Sequence, residues 1–372
     1  MDKILIVGFS KLEYMPYLKL YKEALENEHG VSVDLLVWDR DGGKKNSSND
    51  DIRPFKGLYR FREELDDDKR KIEKVKPFLK FRKYLLSVLK SGDYNKLILM
   101  HTFPALLICD VLFFKYKKKY IFDFRDVTYE KNPLFRFLIK TIAKMSYQTF
   151  LSSKEFSKFF SGVKNISIVH NASVKELREK KRASVKTDPQ RTPIKIGFWG
   201  FIRHLDVNLK IIQSLANDKR FELHYFGKKN DVQEQLKKYI QSKEIRNIYF
   251  HGEYEHQKRA DFIVGVDLIH NVYRNDVTKY AMGNKFYDGI LFGKPQICSK
   301  GSVMGNVVEN MNIGMVVDVL DEYEQRKMAD KIYEYYSVLD KRIFLDNCDK
   351  VRERVVEEMQ ESLNKIRLFV LN

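Results

Sequence analysis

Apolar positions in the first half of the chain fall into short runs with almost no alternation. These are 3–9 (KILIVGF), 31–38 (VSVDLLVW), 96–100 (KLILM), 119–124 (KYIFDF), 147–151 (YQTFL) and 165–171 (NISIVHN). Such runs are the mark of strands covered on both faces. Segments of helical character separate them at 15–28, 69–90, 104–116 and 133–146. The polar, glycine-rich stretch 40–51 (RDGGKKNSSNDD) reads as a loop. Residues 174–193 are charged, poor in large apolar side chains and closed by prolines, which reads as a linker. The alternation then restarts with 193–200 (PIKIGFWG), 221–227, 247–252, 266–271, 295–299 and 313–318, with helices between and two more at 321–338 and 342–370.

Two successive runs of strand and helix predict an α/β chain of two doubly wound, Rossmann-like domains with parallel sheets. The expected boundaries are 1–173 and 194–345, with a C-terminal helix at 346–372 packing back on the first domain. Ligands of such sheets bind beyond the carboxyl ends of the strands, so two domains facing one another predict a cleft.

Composition narrows the class. At 372 residues, 44% hydrophobic and 13% aromatic, the chain can fill two cores and is not a disordered protein. A net charge of +17 favours phosphate-bearing partners: nucleic acid, anionic lipid headgroups or charged small molecules. Cys109, Cys298 and Cys348 are scattered and odd in number, which fits neither a disulfide framework nor a zinc site but does fit a reducing cytoplasm. The start MDKILIVGFS lacks a signal-peptide core, and no run of about 18 uncharged apolar residues occurs. A cytoplasmic protein, soluble or peripheral on a membrane, is expected.

Candidate chemistry concentrates in 281–301, AMGNKFYDGILFGKPQICSKG. Gly283-Asn284 reads as a helix start and Gly293 before Pro295 as its stop. At 100° per residue Phe286, Tyr287, Ile290 and Leu291 form an apolar stripe, and Lys285 and Asp288 share the other face. That pair is either a surface ion pair or the lining of a ligand site. The helix start at Asn284 and Lys285 favours an anion, and Asp288, one turn on, is placed to accept from paired hydroxyls of a ribose. After the first strand of the second half the chain reads FWGFIRHLDVN. There Gly200 permits close backbone approach, and Arg203 and His204 are candidates to meet phosphate; a plain tight turn with a solvated arginine is the competing reading. Neither G-x-G-x-x-G nor G-x-x-x-x-G-K-[ST] occurs, which disfavours dinucleotide and P-loop readings.

The run from about 194 to 318 resembles the C-terminal domain of GT-B-fold glycosyltransferases, especially glycosyltransferase family 4, in G-N-K-F-Y-D-G-I-L-F-G-K-P-Q-I and V-V-E-N-M-N-I-G-M-V-V. The resemblance implies two Rossmann-like domains facing across a cleft, with a nucleotide-sugar donor on the second. It implies that Asp288, where the family usually has Glu, holds the donor ribose, and that Arg203 and Lys285 meet the diphosphate. The sequence departs from the family in lacking a Lys at the usual spacing after Arg203 and in carrying Tyr280 where an upstream acid is common. HGEYEH at 251–256 resembles the segment that reads the nucleobase, with Tyr254 as a stacking candidate. The first half looks like the acceptor domain.

In that half His101 and Asp126 each follow a strand at its carboxyl end, and either is a candidate to orient the acceptor hydroxyl or take its proton. Asp123 is placed to pair with Arg125. Neither DRD (39–41) nor DDD (66–68) stands where a metal-dependent transferase needs it, so a metal-free, cofactor-free mechanism is expected. Segments 69–92 and 131–147 intersperse Lys and Arg with large apolar residues, the composition of helices that lie on anionic lipid, or of core helices with a solvated basic face. The expected function is transfer from a UDP-sugar to a glycan or polyprenyl-diphosphate-linked acceptor. The Lys-, Asn- and Tyr-rich composition fits an AT-rich bacterial genome, with capsule, exopolysaccharide or O-antigen assembly as setting. Competing readings are a non-catalytic GT-B-fold partner of an active transferase, and a nucleic-acid binder, which lacks any recognisable module.

Overall fold

A computed structural model describes the chain except for residues 1, 13, 14, 16, 27, 29, 44–51, 66–70, 180–191, 256–257 and 275–277, and the side chains of 71 and 72. It divides into two compact units, Met1–Val174 with Glu357–Asn372, and Lys175–Val356. The DDD run, most of the expected loop after residue 43 and most of the expected linker lie outside the described residues.

The first unit is built on a wholly parallel sheet in the order β3-β2-β1-β4-β5-β6-β7. Its strands are β1 (Lys3–Val7), β2 (Ser32–Asp39), β3 (Gly57–Arg62), β4 (Lys96–Met100), β5 (Tyr120–Phe124), β6 (Gln148–Leu151) and β7 (Ile166–Ile168). β1 lies between β2 and β4, with Ile4 opposite Val33 on one side and Lys96 on the other. Buried on both faces, its Ile4, Leu5, Ile6 and Val7 are closed to solvent, which is why the run needs no polar alternation. The strand order reverses between β1 and β4, so the carboxyl ends of these two strands mark the switch point of the sheet.

The connecting helices are α1 (Leu18–Leu25), α2 (Lys71–Gly92), α3 (Thr102–Leu107), α4 (Cys109–Phe114) and α5 (Pro133–Met145). Two elements differ from expectation. β3 was not anticipated: in GLYRFR the basic residues interrupt the apolar ones, as an edge strand half open to solvent permits. The single helix expected over 104–116 is two, because Ile108 leaves helical geometry (φ −123°, ψ 25°).

The second unit carries a six-stranded parallel sheet in the order β10-β9-β8-β11-β12-β13. The strands are β8 (Ile194–Trp199), β9 (Phe221–Phe226), β10 (Ile248–Phe250), β11 (Leu268–Asn271), β12 (Gln296–Ser299) and β13 (Gly314–Val317). One face packs Ile196, Phe198, Ile211, Leu223 and Ile332 into the main core. The other packs Trp199, Ile263, Ile269, Leu291 and Phe292 into a smaller cluster. The helices here are α6 (Val174–Arg178), α7 (Leu205–Leu215), α8 (Asp231–Ser242), α9 (Arg259–Ile263), α10 (Asn284–Phe292), α11 (Val303–Asn310), α12 (Glu322–Arg326) and α13 (Met328–Ser337). α6 occupies the start of the segment expected to be linker. Leu177 is buried, and its carbonyl accepts from Arg352 Nη1 at 2.8 Å, so this turn belongs to the fold. The last helix, α14 (Lys341–Leu371), is shared between the units, with residues from 357 on belonging to the first.

Candidate functional site

In the second unit the candidate donor residues gather at the carboxyl end of β8 and the amino end of α10. Gly200 follows β8 with φ +113° and open space where a side chain would project, so the turn demands glycine for its backbone and leaves room above it. Gly283 caps α10, and Gly293 ends it in the left-handed region at φ +61°, its N–H bonded to Gly289 O. Asn284, the first residue of α10, is exposed.

Of the two readings of Lys285 and Asp288, the surface ion pair is overturned by the structure: every residue from Lys285 to Phe292 is buried. The helix is enclosed on all sides, so amphipathic spacing could not reveal which polar residues are covered. Nor do Lys285 and Asp288 bond to each other. Lys285 Nζ donates to the carbonyl of Trp199 at 3.0 Å and to the Tyr273 hydroxyl, and it lies 4.0 Å from the centre of the Phe198 ring. Asp288 Oδ2 accepts from Trp199 Nε1 at 2.8 Å, and Oδ1 accepts from Arg259 Nε at 2.8 Å. Arg259 also donates through Nη2 to Glu176 Oε2 at 3.0 Å, running from α9 to α6. Trp199 therefore serves both residues, one through its carbonyl and the other through its indole.

The electrostatics follow from burial. Burial pulls the Lys285 ammonium down to about 7, with Asp288 opposing and the nearby Arg203 adding to the effect. Among the described residues neither Lys285 nor Arg203 is salt-bridged to a carboxylate. Arg203 is exposed, its guanidinium 5.5 Å from the centre of the Phe201 ring. His204 caps α7 at φ +58° with its ring edge-on to Tyr273. Tyr254 is half-buried and edge-on to Phe262, and burial, helped by the charge of Asp288, pushes its hydroxyl up to about 12. Sequence reasoning missed Trp199, Arg259, Glu176 and Tyr273 as partners. Trp199 stood in the quoted turn, but nothing in the chain order signals that Arg259 reaches Asp288.

In the first unit His101 and Asp126 come together at the switch point. His101 sits at the N-cap of α3 with φ +98°, an unusual conformation for a residue with a side chain. Its backbone N–H donates to Asp123 O at 2.8 Å, and its ring packs against both Phe9 and Phe103, at 5.4 and 5.6 Å, in a cluster of three in which the two phenylalanines also touch, at 5.3 Å. Nδ1 accepts from Phe103 N–H at 3.5 Å, which leaves the proton on Nε2, 3.8 Å from Asp126 Oδ2. Burial pulls the imidazole down to about 4, against the pull of Asp126, so it is neutral near pH 7. Asp126 itself is exposed. Asp123 pairs with Arg125 at 2.6 Å and accepts from Tyr21 at 2.7 Å, a buried brace beneath this edge. The DRD acids are likewise engaged by protein, Asp39 by Arg60 and Asp41 by Lys11.

No protein-family model and no curated protein matches the chain by sequence. Solved structures share its architecture. Sucrose-phosphate synthase from Thermosynechococcus elongatus aligns with a TM-score of 0.70 at 12% identity, over 100% of both chains. HepE from Anabaena, solved with UDP and glucose, aligns at 0.64 and 14% identity over 98% of this chain and 99% of its own. A glycosyltransferase from Rickettsia africae aligns at 0.64 and 14% over 98% and 96%. At such identity the likeness is one of fold: two Rossmann-like domains of the GT-B type.

Proposed function

We propose that the chain is a metal-independent, retaining glycosyltransferase that moves the sugar of a UDP-sugar onto a hydroxyl of a glycan or of a polyprenyl-diphosphate-linked acceptor. The observation that carries this reading is Lys285. Among the described residues this buried ammonium is held by a carbonyl, a phenol and ring faces, with Asp288 near but not bonded to it, and buried charge without a bonded counter-ion is costly. Beside it stand Arg203, the glycine turn at Gly200 and the amino end of α10, all of which favour an anion. HepE, a structure of the same fold, is described with UDP and with UDP-glucose.

In the reaction the bond from the anomeric carbon to the β-phosphate oxygen breaks and a bond to the acceptor oxygen forms. The acceptor proton passes to the departing diphosphate on the same face, so no strong protein base is needed. Lys285, Arg203 and the α10 amino end stabilise the charge that grows on the diphosphate. A carboxylate accepts about four hydrogen bonds, so Asp288, with two protein donors, keeps capacity for ribose hydroxyls, and Tyr254 offers a ring to the base. Neutral His101 donates its Nε2 proton to a hydroxyl and Asp126 accepts from one. Surface-polysaccharide assembly in a bacterium is the proposed setting, supported by composition alone.

Calorimetric titration with UDP, GDP, ADP and their sugars tests the reading. UDP and one UDP-sugar should bind, and Lys285→Ala and Asp288→Ala should weaken them by tenfold or more. Binding by no nucleotide, or by all equally in both variants, overturns it. The engagement of both Asp288 oxygens by Trp199 and Arg259 favours a second reading, a non-catalytic chain of the same fold. Slow UDP release from the bound sugar nucleotide separates the enzyme from that alternative.

A further inference from the structure

Three helical segments of the first unit concentrate the positive charge of the whole chain. Residues 71–92, 109–119 and 131–145 together hold fifteen Lys and Arg against two acids, Glu73 and Asp110, a net +13 of the chain's +17. The helices within them also share a face. The connections β3 to β4, β4 to β5 and β5 to β6 all step the same way along the sheet, so right-handed crossovers place α2, α3, α4 and α5 on one side of it. Contacts agree: α3 packs against α2 and α5, and α4 packs against α5.

The outer surface of this face is not purely polar. Val75 and Leu79 on α2 are 50% and 59% exposed, Phe114 at the end of α4 is 91% exposed, and Leu134 and Phe137 on α5 are 75% and 67% exposed. Lys76 and Lys80, Lys115, and Lys131 and Arg136 stand beside them, all exposed. Ile139, Ile142 and Ala143 on the opposite side of α5 are buried in the core, so Leu134 and Phe137 are surplus to folding.

We propose that this face docks on the surface of an anionic lipid bilayer, with Leu134, Phe137, Phe114, Leu79 and Val75 entering the headgroup boundary and the lysines lying among the phosphates. Charge complementarity selects the occupant. A second copy of the chain would present the same basic face and be repelled. Leu134, Leu79 and Val75 suit hydrocarbon and offer no ring to a base, and among the five only Phe114 and Phe137 could stack, whereas single-stranded nucleic acid is held by aromatic stacking of successive bases. No helix among the described residues is long and apolar enough to cross a membrane, so the contact is one of docking. The proposal goes beyond the transfer reaction and needs no turnover to be read.

Flotation of the full chain with vesicles tests it. Equimolar phosphatidylcholine and phosphatidylglycerol should carry the protein and phosphatidylcholine alone should not, and rising salt should release it. Lys76→Gln with Lys144→Gln should lower the partition coefficient about fivefold for each charge removed, while Lys219→Gln with Lys243→Gln, exposed lysines of the second unit, should leave it unchanged. Leu134→Ser with Phe137→Ser should lower it about tenfold or more with the melting temperature unmoved. Equal binding to neutral vesicles, equal effects of the two lysine pairs, or tighter binding to RNA that the same variants abolish would each overturn the proposal.

Discussion

Lys285 is the residue whose chemistry depends most on its surroundings. Its folded-state value near 7 lies below the ordinary 10.5 of lysine, so between those values the unfolded chain holds the extra proton. Stability therefore rises with pH across that window, and the cost of burying the charge is fully present below about 7. Lys285→Met should lack this rise, which melting curves from pH 6 to pH 9 would show by comparison with the unaltered chain. An anion bound beside the ammonium favours its charged form, so UDP should bind more weakly as pH climbs above about 7, and the variant should bind weakly at every pH. Arg259 presents the opposite case, a charge fully matched. Arg259→Ala strands Asp288 in the interior and should cost about 3–5 kcal/mol of stability, read by denaturant unfolding. These roles were only half legible in the chain. Lys285, Asp288 and Arg203 stand in local motifs, whereas Arg259 meets Asp288 only because α9 and α10 cover the same face of the sheet.

Elements carry their own tests. The C-terminal stop of α10 was readable because Gly293 and Pro295 announce it, and the left-handed φ of +61° explains the glycine. Gly293→Ala adds a side chain in that conformation, with its Cβ 2.7 Å from a Leu345 methyl, and should cost about 1–2 kcal/mol. His101 holds a positive φ at the cap of α3 without being glycine. His101→Gly should be more stable than His101→Ala by about 1 kcal/mol, measured by chemical denaturation; equal stabilities would show that no strain is held there. The long strands were evident because strands buried on both faces have no choice but apolar side chains. β3 and α6 were not, since an edge strand and a short helix need only a few buried positions amid charged neighbours.

At the scale of the molecule, basic segments that the chain presents separately prove to carry helices on one face of one unit. That placement underlies the predicted vesicle binding and its salt release. The repeated βα alternation by itself determined two parallel-sheet units, because a buried parallel strand and its crossover helix each impose a distinct local pattern. The turn at Gly200 and the helix stop at Gly293 were legible as well, since glycines at positive φ are sequence-local signals. Only the tertiary structure decided that Lys285 and Asp288 are buried, that Trp199 and Arg259 hold them, and that His101 faces Asp126. Those facts arise from side chains meeting across strands distant in sequence, and burial on every side of a helix leaves no periodicity to read.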